Sequence, residues 1–330
     1  MEQRRKPSPT IDQVAAAADV NRSTVSRAFT RPQMLSAETV RRVLDAAERL
    51  GYAPNHTARA LSTGRHRNIA LIVPDVANPY FPPLIRAVQR EVDKADFCLF
   101  LGNTDEDPKQ EDKLVGRFAG QVAGMILASS RLPEARIRAH AAVRPIVLIN
   151  RDVAGIPRVL IDSGSGVEEA VAHLAALGHK IIAYVTGPST SWSNRQRLQA
   201  VRRATERLNL KHVTVAATAV PSFDAGRVTA KQVLRTGATA AIAFDDVTAH
   251  GLLAGIADEG IDVPKRFAVV GCDDVLGAVT QPALTSVSNR APEAGHAAFT
   301  LLSDMLQSPA IRDVRYVLET HLVVRDTTVR

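Results

Sequence analysis

The sequence predicts an α/β protein in which a small all-α module precedes a body of two doubly wound lobes, and three observations carry that expectation. Residues 1–68 show helical apolar spacing and no strand pattern. From Ile69 onward, short apolar runs alternate with amphipathic helical stretches, the signature of βαβ units. The remaining 262 residues are enough for two such lobes. At 45% hydrophobic and 23% charged residues, the composition is that of ordinary globular chains and excludes wholesale disorder, collagen and coiled coil.

The first module reads as three helices. Ile11, Val14, Ala15 and Ala18 form one apolar stripe behind Thr10 as N-cap. Asp19-Val20-Asn21 interrupts the pattern, and helix resumes near Arg22 with Val25, Ala28 and Phe29 on one face until Pro32 forbids continuation. A third helix starts at Ser36, carries Val40, Val43, Leu44 and Ala47, and stops at Gly51. Two short helices joined by a turn of about three residues, then a third, form the arrangement of a helix-turn-helix DNA-binding headpiece, here residues 1–50. The polar face of the second helix offers Arg22, Ser23, Ser26 and Arg27, side chains that reach base edges and phosphates. The alternative is a plain three-helix cap with a solvated Arg/Ser face.

Charge is distributed unevenly. Residues 1–68 hold 12 Lys or Arg against 6 Asp or Glu, whereas the other 262 residues hold 29 against 28. A basic module on a neutral body points to a polyanion, with a solvated basic tail as the alternative. Residues 51–68 lie between the module and the body: Tyr52-Ala53-Pro54-Asn55 breaks the helix, and His56 to Gly64 allow about two turns, too few for stability alone in water. Leu61, flanked by Arg59, Arg65 and Arg67, has the composition of a minor-groove wedge; equally, it could pack on the next domain.

The body, 69–330, offers candidate strands at 69–73, 97–101, 125–128, 146–149, 159–161, 181–185, 213–217, 240–244 and 267–271, with helical stretches such as 84–95, 167–177, 197–208 and 225–235 between them. Doubly wound lobes place a ligand crevice at the carboxyl ends of their strands.

The motifs Thr10-Ile11-Asp12-Gln13-Val14-Ala15, Thr24-Val25-Ser26-Arg27, Gly51-Tyr52-Ala53-Pro54-Asn55, Ala58-Arg59-Ala60-Leu61, Asn78-Pro79-Tyr80-Phe81, Leu177-Gly178-His179 and Val270-Gly271-Cys272-Asp273-Asp274 occur in this order. Together they resemble the lactose/galactose-repressor family of bacterial transcription regulators, end to end. The resemblance implies a periplasmic-binding-protein-like body with three crossings between lobes: lobe one about 69–162 and 290–322, lobe two about 163–289 and 323–330. It also implies a homodimer on palindromic double-stranded operator DNA, contacted through Thr10, Arg22, Ser23, Thr24, Ser26, Arg27, Thr30, Asn55, Ala58, Arg59 and an intercalating Leu61. No heptad extension follows residue 323, so a dimer and not a tetramer is expected. Asp19 stands where the family usually has glycine, and aspartate tolerates the left-handed conformation such a turn needs.

The same resemblance places Tyr80, Phe81, Asn103, Arg151, Trp192, Arg197, Asp245 and Asp273 around a cleft for a small-molecule effector, a sugar, sugar acid or sugar phosphate. Aromatic faces that stack on a sugar ring, with Arg and Asp on its hydroxyls, suit that chemistry. Trp192 sits in a stretch, 187–194, that reads as a loop. Arg151, Arg195 and Arg197 together would suit an acidic or phosphorylated sugar.

Other classes are weakened. The chain has no GxSxG, HExxH or GxxxxGK[ST], and adjacent Asp273 and Asp274 should point different ways and so make a poor acid/base pair. An enzyme is therefore not expected. Cys98 and Cys272 are far apart with no ligand spacing, so no metal or other cofactor is expected. No apolar run is long enough to span a membrane and the first residues lead into no apolar signal core, so the expectation is a cytoplasmic protein without membrane partners. A secreted sugar-binding protein for transport would explain the cleft but not the headpiece.

Overall fold

The computed structural model describes residues 9–52, 66–217, 220–308 and 313–329. The chain divides into two compact units, 1–66 and 67–330.

In the first unit, α1 (Ile11–Ala17), α2 (Arg22–Thr30) and α3 (Ala37–Leu50) each begin on a side-chain cap. Thr10 and Gln13 satisfy each other's backbone N–H groups in a reciprocal box at 3.3 and 2.8 Å. Asn21 accepts from Thr24 N at 2.9 Å, and Ser36 from Thr39 N at 3.2 Å. Asp19 takes φ +50°, so the tight turn between α1 and α2 survives without glycine, while Gly51 closes α3 at φ +66°. The core is Val14, Ala15, Ala18, Val25, Ala28, Val43, Ala46 and Ala47, small side chains that let three short helices approach closely. Leu44, expected in that stripe, is 42% exposed and Ala46 occupies the core instead.

The second unit holds two six-stranded sheets. Strands β1 (Asn68–Val73), β2 (Cys98–Asn103), β3 (Gly124–Ala128), β4 (Ile146–Ile149), β5 (Arg158–Asp162) and β11 (Arg315–Glu319) form one in the order β11-β5-β4-β3-β1-β2. Strands β6 (Ile181–Thr186), β7 (Lys211–Ala216), β8 (Ala240–Ala243), β9 (Ala268–Cys272), β10 (Thr285–Val287) and β12 (Leu322–Val323) form the other in the order β12-β10-β9-β8-β6-β7. All pairings are parallel except that of β10 with β12. Helices α4 (Phe81–Lys94), α5 (Pro108–Ala119), α6 (Glu134–Ala141) and α11 (Ala291–Gln307) accompany the first sheet, and α7 (Ser163–Ala176), α8 (Trp192–Arg207), α9 (Phe223–Arg235) and α10 (Asp246–Asp258) the second. Each sheet is apolar on both faces. Leu71 and Ile149 face α4 and α11, and Ile72 and Leu148 face the opposite side.

The chain crosses between lobes three times, after β5, after β10 and after β11. The third crossing comes slightly earlier than the sequence suggested: Leu322, read as part of lobe one, pairs with Val287 in lobe two. The crossings are tied together. Thr320 donates to Asp162 O at 2.8 Å, and Ser288 N donates to His321 O at 2.8 Å. Any rotation of the lobes therefore engages all three strands of the hinge at once.

Candidate functional site

Each sheet reverses its strand order beside β1 or β6, the position at which a doubly wound fold opens a crevice. The residues that leave the carboxyl ends of the strands converge there. Asn78, Tyr80 and Phe81 follow β1, Glu106 follows β2, Ser129 and Arg131 follow β3, and Asn150 follows β4. From the other lobe come Ser191 and Ser193 after β6, Phe244 and Asp245 after β8, and Asp273 after β9, with Arg197 one turn into α8. Glu106, Ser129, Asn150 and Asp273 all have positive φ, +60°, +51°, +53° and +101°. Such backbone costs on the order of 1 kcal/mol or more per residue, and here it turns the chain off the strand end and aims side chains into the cleft.

Two buried ion pairs face this space. In lobe one, Arg131 grips Glu106 with two bonds, Nε to Oε2 at 2.5 Å and Nη2 to Oε1 at 3.0 Å. In lobe two, Arg197 Nη2 donates to Asp273 Oδ1 at 2.7 Å, its Nη1 donates to the carbonyl of Phe244, and its guanidinium carbon lies 5.1 Å from the Phe244 ring centre. Asp245 caps α10 through Thr248 N at 2.8 Å and accepts from Asn78 Nδ2 at 3.1 Å, a hydrogen bond between the lobes. Burial and the Asp273 charge raise the Asp245 carboxyl above the usual range. Burial also pushes the Tyr80 phenol up; its oxygen accepts from Asn150 Nδ2 at 3.0 Å, and its ring meets Phe81 edge-on at 5.0 Å.

The cleft thus combines aromatic surface with carboxylates, guanidiniums, amides and hydroxyls, a set able to bind vicinal hydroxyls and to read them by donor and acceptor. Its lining contains no histidine or cysteine among the described residues, and these contain no cluster able to hold a metal ion. The space left among these side chains is about 30 Å³, room for a water or two, against roughly 300 Å³ for a small-molecule site. The two lobes meet across it through the Asn78–Asp245 hydrogen bond.

Of the residues singled out from the sequence, Tyr80, Phe81, Arg197, Asp245 and Asp273 share this lining. Asn103 stands aside from it and holds the β1 loop, accepting from Val76 N at 2.9 Å. Arg151 donates to Leu132 O at 2.9 Å, outside the lining. Trp192 is not in a loop: Ser191 caps α8, so the tryptophan opens that helix, buried and outside the lining. Asp273 and Asp274 do diverge, Asp274 pairing with Arg325 at 2.6 Å. Asn78, Glu106, Ser129, Arg131, Asn150, Ser191, Ser193 and Phe244 were not singled out, yet each lies within eight residues of a strand's end, and that position was the available signal.

In the first unit, Arg22, Ser23, Ser26 and Arg27 are exposed along α2, while Thr24 and Thr30 are half-buried. Thr24 Oγ1 and Ser23 Oγ both donate to Asn21 Oδ1, at 2.9 and 2.6 Å, so their acceptor lone pairs stay open. Arg22 Nε is 4.0 Å from Asp12, both mostly in solvent, a contact worth little. Asn55, Ala58, Arg59 and Leu61 lie outside the described residues.

A family model described as bacterial regulatory proteins, lacI family, matches residues 10–55, and one described as periplasmic binding protein-like domain matches residues 171–328. The HTH-type transcriptional repressor CytR of Escherichia coli is 29% identical over 98% of each chain. The ribose operon repressor of Halalkalibacterium halodurans is 31% identical over 97% of each. The crystal structure of the lac repressor dimer bound to operator and the anti-inducer ONPF superposes with a TM-score of 0.88 at 26% identity, covering 98% of this chain and all of that one. This chain belongs to the lacI family of bacterial regulatory proteins.

Proposed function

We propose that the protein is a sequence-specific DNA-binding transcriptional repressor whose operator affinity is switched by a sugar or sugar derivative bound between the lobes. The observation that carries this reading is the pairing, on one chain, of an exposed Arg/Ser face on α2 with a closed cleft built around the Arg197–Asp273 ion pair. An effector changes DNA affinity only by favouring one arrangement of the lobes over the other. The Asn78–Asp245 bond and the tied crossings give the closed arrangement an identity of its own, which ligand entry must alter.

The working form is a homodimer on a palindromic operator, since the lac repressor relative is a dimer on its operator. Arg22 and Ser23 choose bases; Ser26 and Arg27 make more general contacts; Thr10, Thr24 and Thr30 contribute at the ends of the helices. The roles of Asn55, Ala58, Arg59 and Leu61 in a hinge rest on the family resemblance. The protein acts in the cytoplasm and is not an enzyme: its relatives are regulators, and no helix of the described residues is long and apolar enough to cross a membrane.

The test has two arms. Selection from a random duplex library should yield a palindrome bound with steep salt dependence, and a thermal-shift screen of sugars and their derivatives should yield a ligand that changes affinity for that palindrome. A ligand that stabilises the protein and leaves DNA affinity unmoved would overturn the switch.

A further inference from the structure

A second cavity lies at the opposite end of the first sheet from the cleft. The cleft opens at the carboxyl ends of β1 to β4, whereas this one opens where β3, β4 and β5 begin. Strands of four or five residues put about 13–17 Å between the two ends. Ala123, Ile146 and Pro157 line the cavity from the strand ends, Ala141 and Ala142 from the end of α6, and Met305 and Leu306 from the end of α11. It measures about 700 Å³, inside the range of about 300–1,000 Å³ for small-molecule sites, while the cleft holds about 30 Å³. Loose packing is not its origin, since a Cβ on the neighbouring Gly124 would stand only 2.7 Å from Leu302 Cδ1. The space is left by small side chains: positions 123, 141 and 142, all in the lining, are alanine.

The charged groups of this lining have one sign. Arg138 and Arg144 carry them, and the other lining residues are aliphatic, Pro, Met or Gly. Arg144 is half-buried and forms no ion pair among the described residues; its Nε donates to Ala119 O at 2.6 Å, which holds the guanidinium in place. Arg138 gives Nε and Nη2 to Glu134 at 3.0 and 2.5 Å. Its Nη1, outside that pair, comes within 3.6 Å of the Cβ position of Gly155, another lining residue. The carboxylate beside that loop, Asp313, is already taken by Gly155 N at 2.8 Å and Arg158 Nη1 at 2.7 Å. A cation oriented in advance by one hydrogen bond loses little side-chain freedom on meeting an anion.

We propose that this cavity is a second small-molecule site, for a monocarboxylate with an apolar body, either an acyl chain or an aryl group. The carboxylate pairs with Arg144 and with the free edge of Arg138, and the apolar body displaces water from Ala142, Val143, Met305 and Leu306. Val143 is 65% exposed, so apolar surface that now faces water is there to be covered. A sugar does not suit this lining, whose side chains offer its hydroxyls no carboxylate, amide or hydroxyl. The site does not rest on the reading of the cleft, and either can fail without the other.

Calorimetric titration of the full chain with octanoate and phenylbutyrate tests the site, with octanol, phenylbutanol and acetate as probes that each lack one half of the chemistry. At least one of the two carboxylates should bind saturably, and its alcohol and acetate at least about tenfold more weakly. The tighter of the two tells an acyl body from an aryl one. Arg144→Met, which keeps an unbranched apolar stem, should lower the carboxylate's affinity to that of its alcohol. Arg117→Ala, an exposed arginine on α5 outside the lining, should leave that affinity unchanged. Ala142→Trp, at an exposed position, should fill the cavity and abolish binding. An alcohol that binds as tightly as its carboxylate would refute the anion site. Carboxylate binding that survives Arg144→Met or Ala142→Trp would place it elsewhere, and no binding of either carboxylate refutes the site outright. Sedimentation of wild type and Ala142→Trp without ligand closes the last alternative: a change of oligomeric state with the tryptophan would show that a second copy covers this face, and would overturn the proposal.

Discussion

Substitution at the two ends of the buried Arg197–Asp273 pair should have unequal consequences. The side chains are 8% and 10% exposed and 2.7 Å apart, and removing one partner of such a pair costs about 3–5 kcal/mol because the other is left as an uncompensated buried charge. The surroundings break the symmetry. Arg197 is the cation beside two carboxylates, Asp273 and Asp245, so Arg197→Met strands both. Asp273→Asn leaves Arg197 its bond to Phe244 O, the Phe244 ring and the charge of Asp245, and it relieves the repulsion that Asp273 exerts on Asp245 and Asp246. The arginine variant should therefore lose about 3–5 kcal/mol near neutral pH and the asparagine variant about 1–2.

The loss in Arg197→Met should also depend on pH. A carboxyl whose folded pKa rises above its unfolded value binds its proton more tightly in the folded state. Its stability contribution is complete below the unfolded pKa and is lost as pH rises through the folded one. The penalty should thus shrink as pH falls toward about 5, by about 1.4 kcal/mol per pH unit for each proton taken up. Urea titrations of the full chain at two pH values measure it. Equal penalties for the two variants, or an Arg197→Met penalty that does not move with pH, would refute the charge arrangement described for the cleft. Both variants should lose effector response and keep DNA affinity, since the headpiece is a separate compact unit.

Asp246 is buried, accepts from Ser286 Oγ at 2.6 Å and Val275 N at 2.9 Å, and is pushed up to about 7 by burial and by Asp273. Its stabilising protonation is present below about pH 4 and lost through about pH 7, so Asp246→Asn should be more stable than wild type at about pH 8 and lose that advantage by about pH 5, as read from denaturation midpoints. Gly187→Ala places a methyl 2.3 Å from the Phe244 ring, which would have to move from beneath Arg197; a loss of about 1–3 kcal/mol is expected, partly recovered by Phe244→Leu in calorimetry. Arg27→Ala should weaken binding to the selected palindrome and lower its salt slope by about 1, whereas Arg22→Ala should change which bases are preferred in a repeated selection. An unchanged slope would remove Arg27 from the phosphate contacts.

Much of the fold was legible because strands buried on both faces appear as unbroken apolar runs. Ile146–Ile149 and Ala240–Ala243 stand out for that reason. Strands β10, β11 and β12 did not. Two have three residues or fewer, and Arg-Tyr-Val-Leu-Glu of β11 lies at a sheet edge with only Leu318 buried. Leu44 was misjudged because three short helices around a core of valines and alanines are too small to cover a second leucine row, so the smaller Ala46 took the inward position. The cleft was readable where the family resemblance carried a position across, as with Arg197, and unreadable where it did not, as with Ser129 or Asn150. What marks those two is left-handed backbone after a strand, a property of φ and not of residue type.

The charge map also takes on a finer meaning. Residues 9–52, which contain the three helices, hold 6 arginines and 5 carboxylates. The basic excess of the first 68 residues lies mostly in the flanks, Arg4, Arg5 and Lys6 on one side and Arg59, Arg65 and Arg67 on the other. Counterion release follows the number of Lys and Arg side chains that reach phosphates, and the flanks hold half of the 12 in the first 68 residues. In the proposed function, specificity rests on a few placed side chains on α2, and the flanking segments add a salt-dependent affinity that carries no sequence preference. Removing residues 1–8 should lower the affinity for any duplex, selected or random, by the same factor, and leave the preferred palindrome unchanged. A truncation that altered the preferred sequence instead would place base recognition in the basic tail and not on α2.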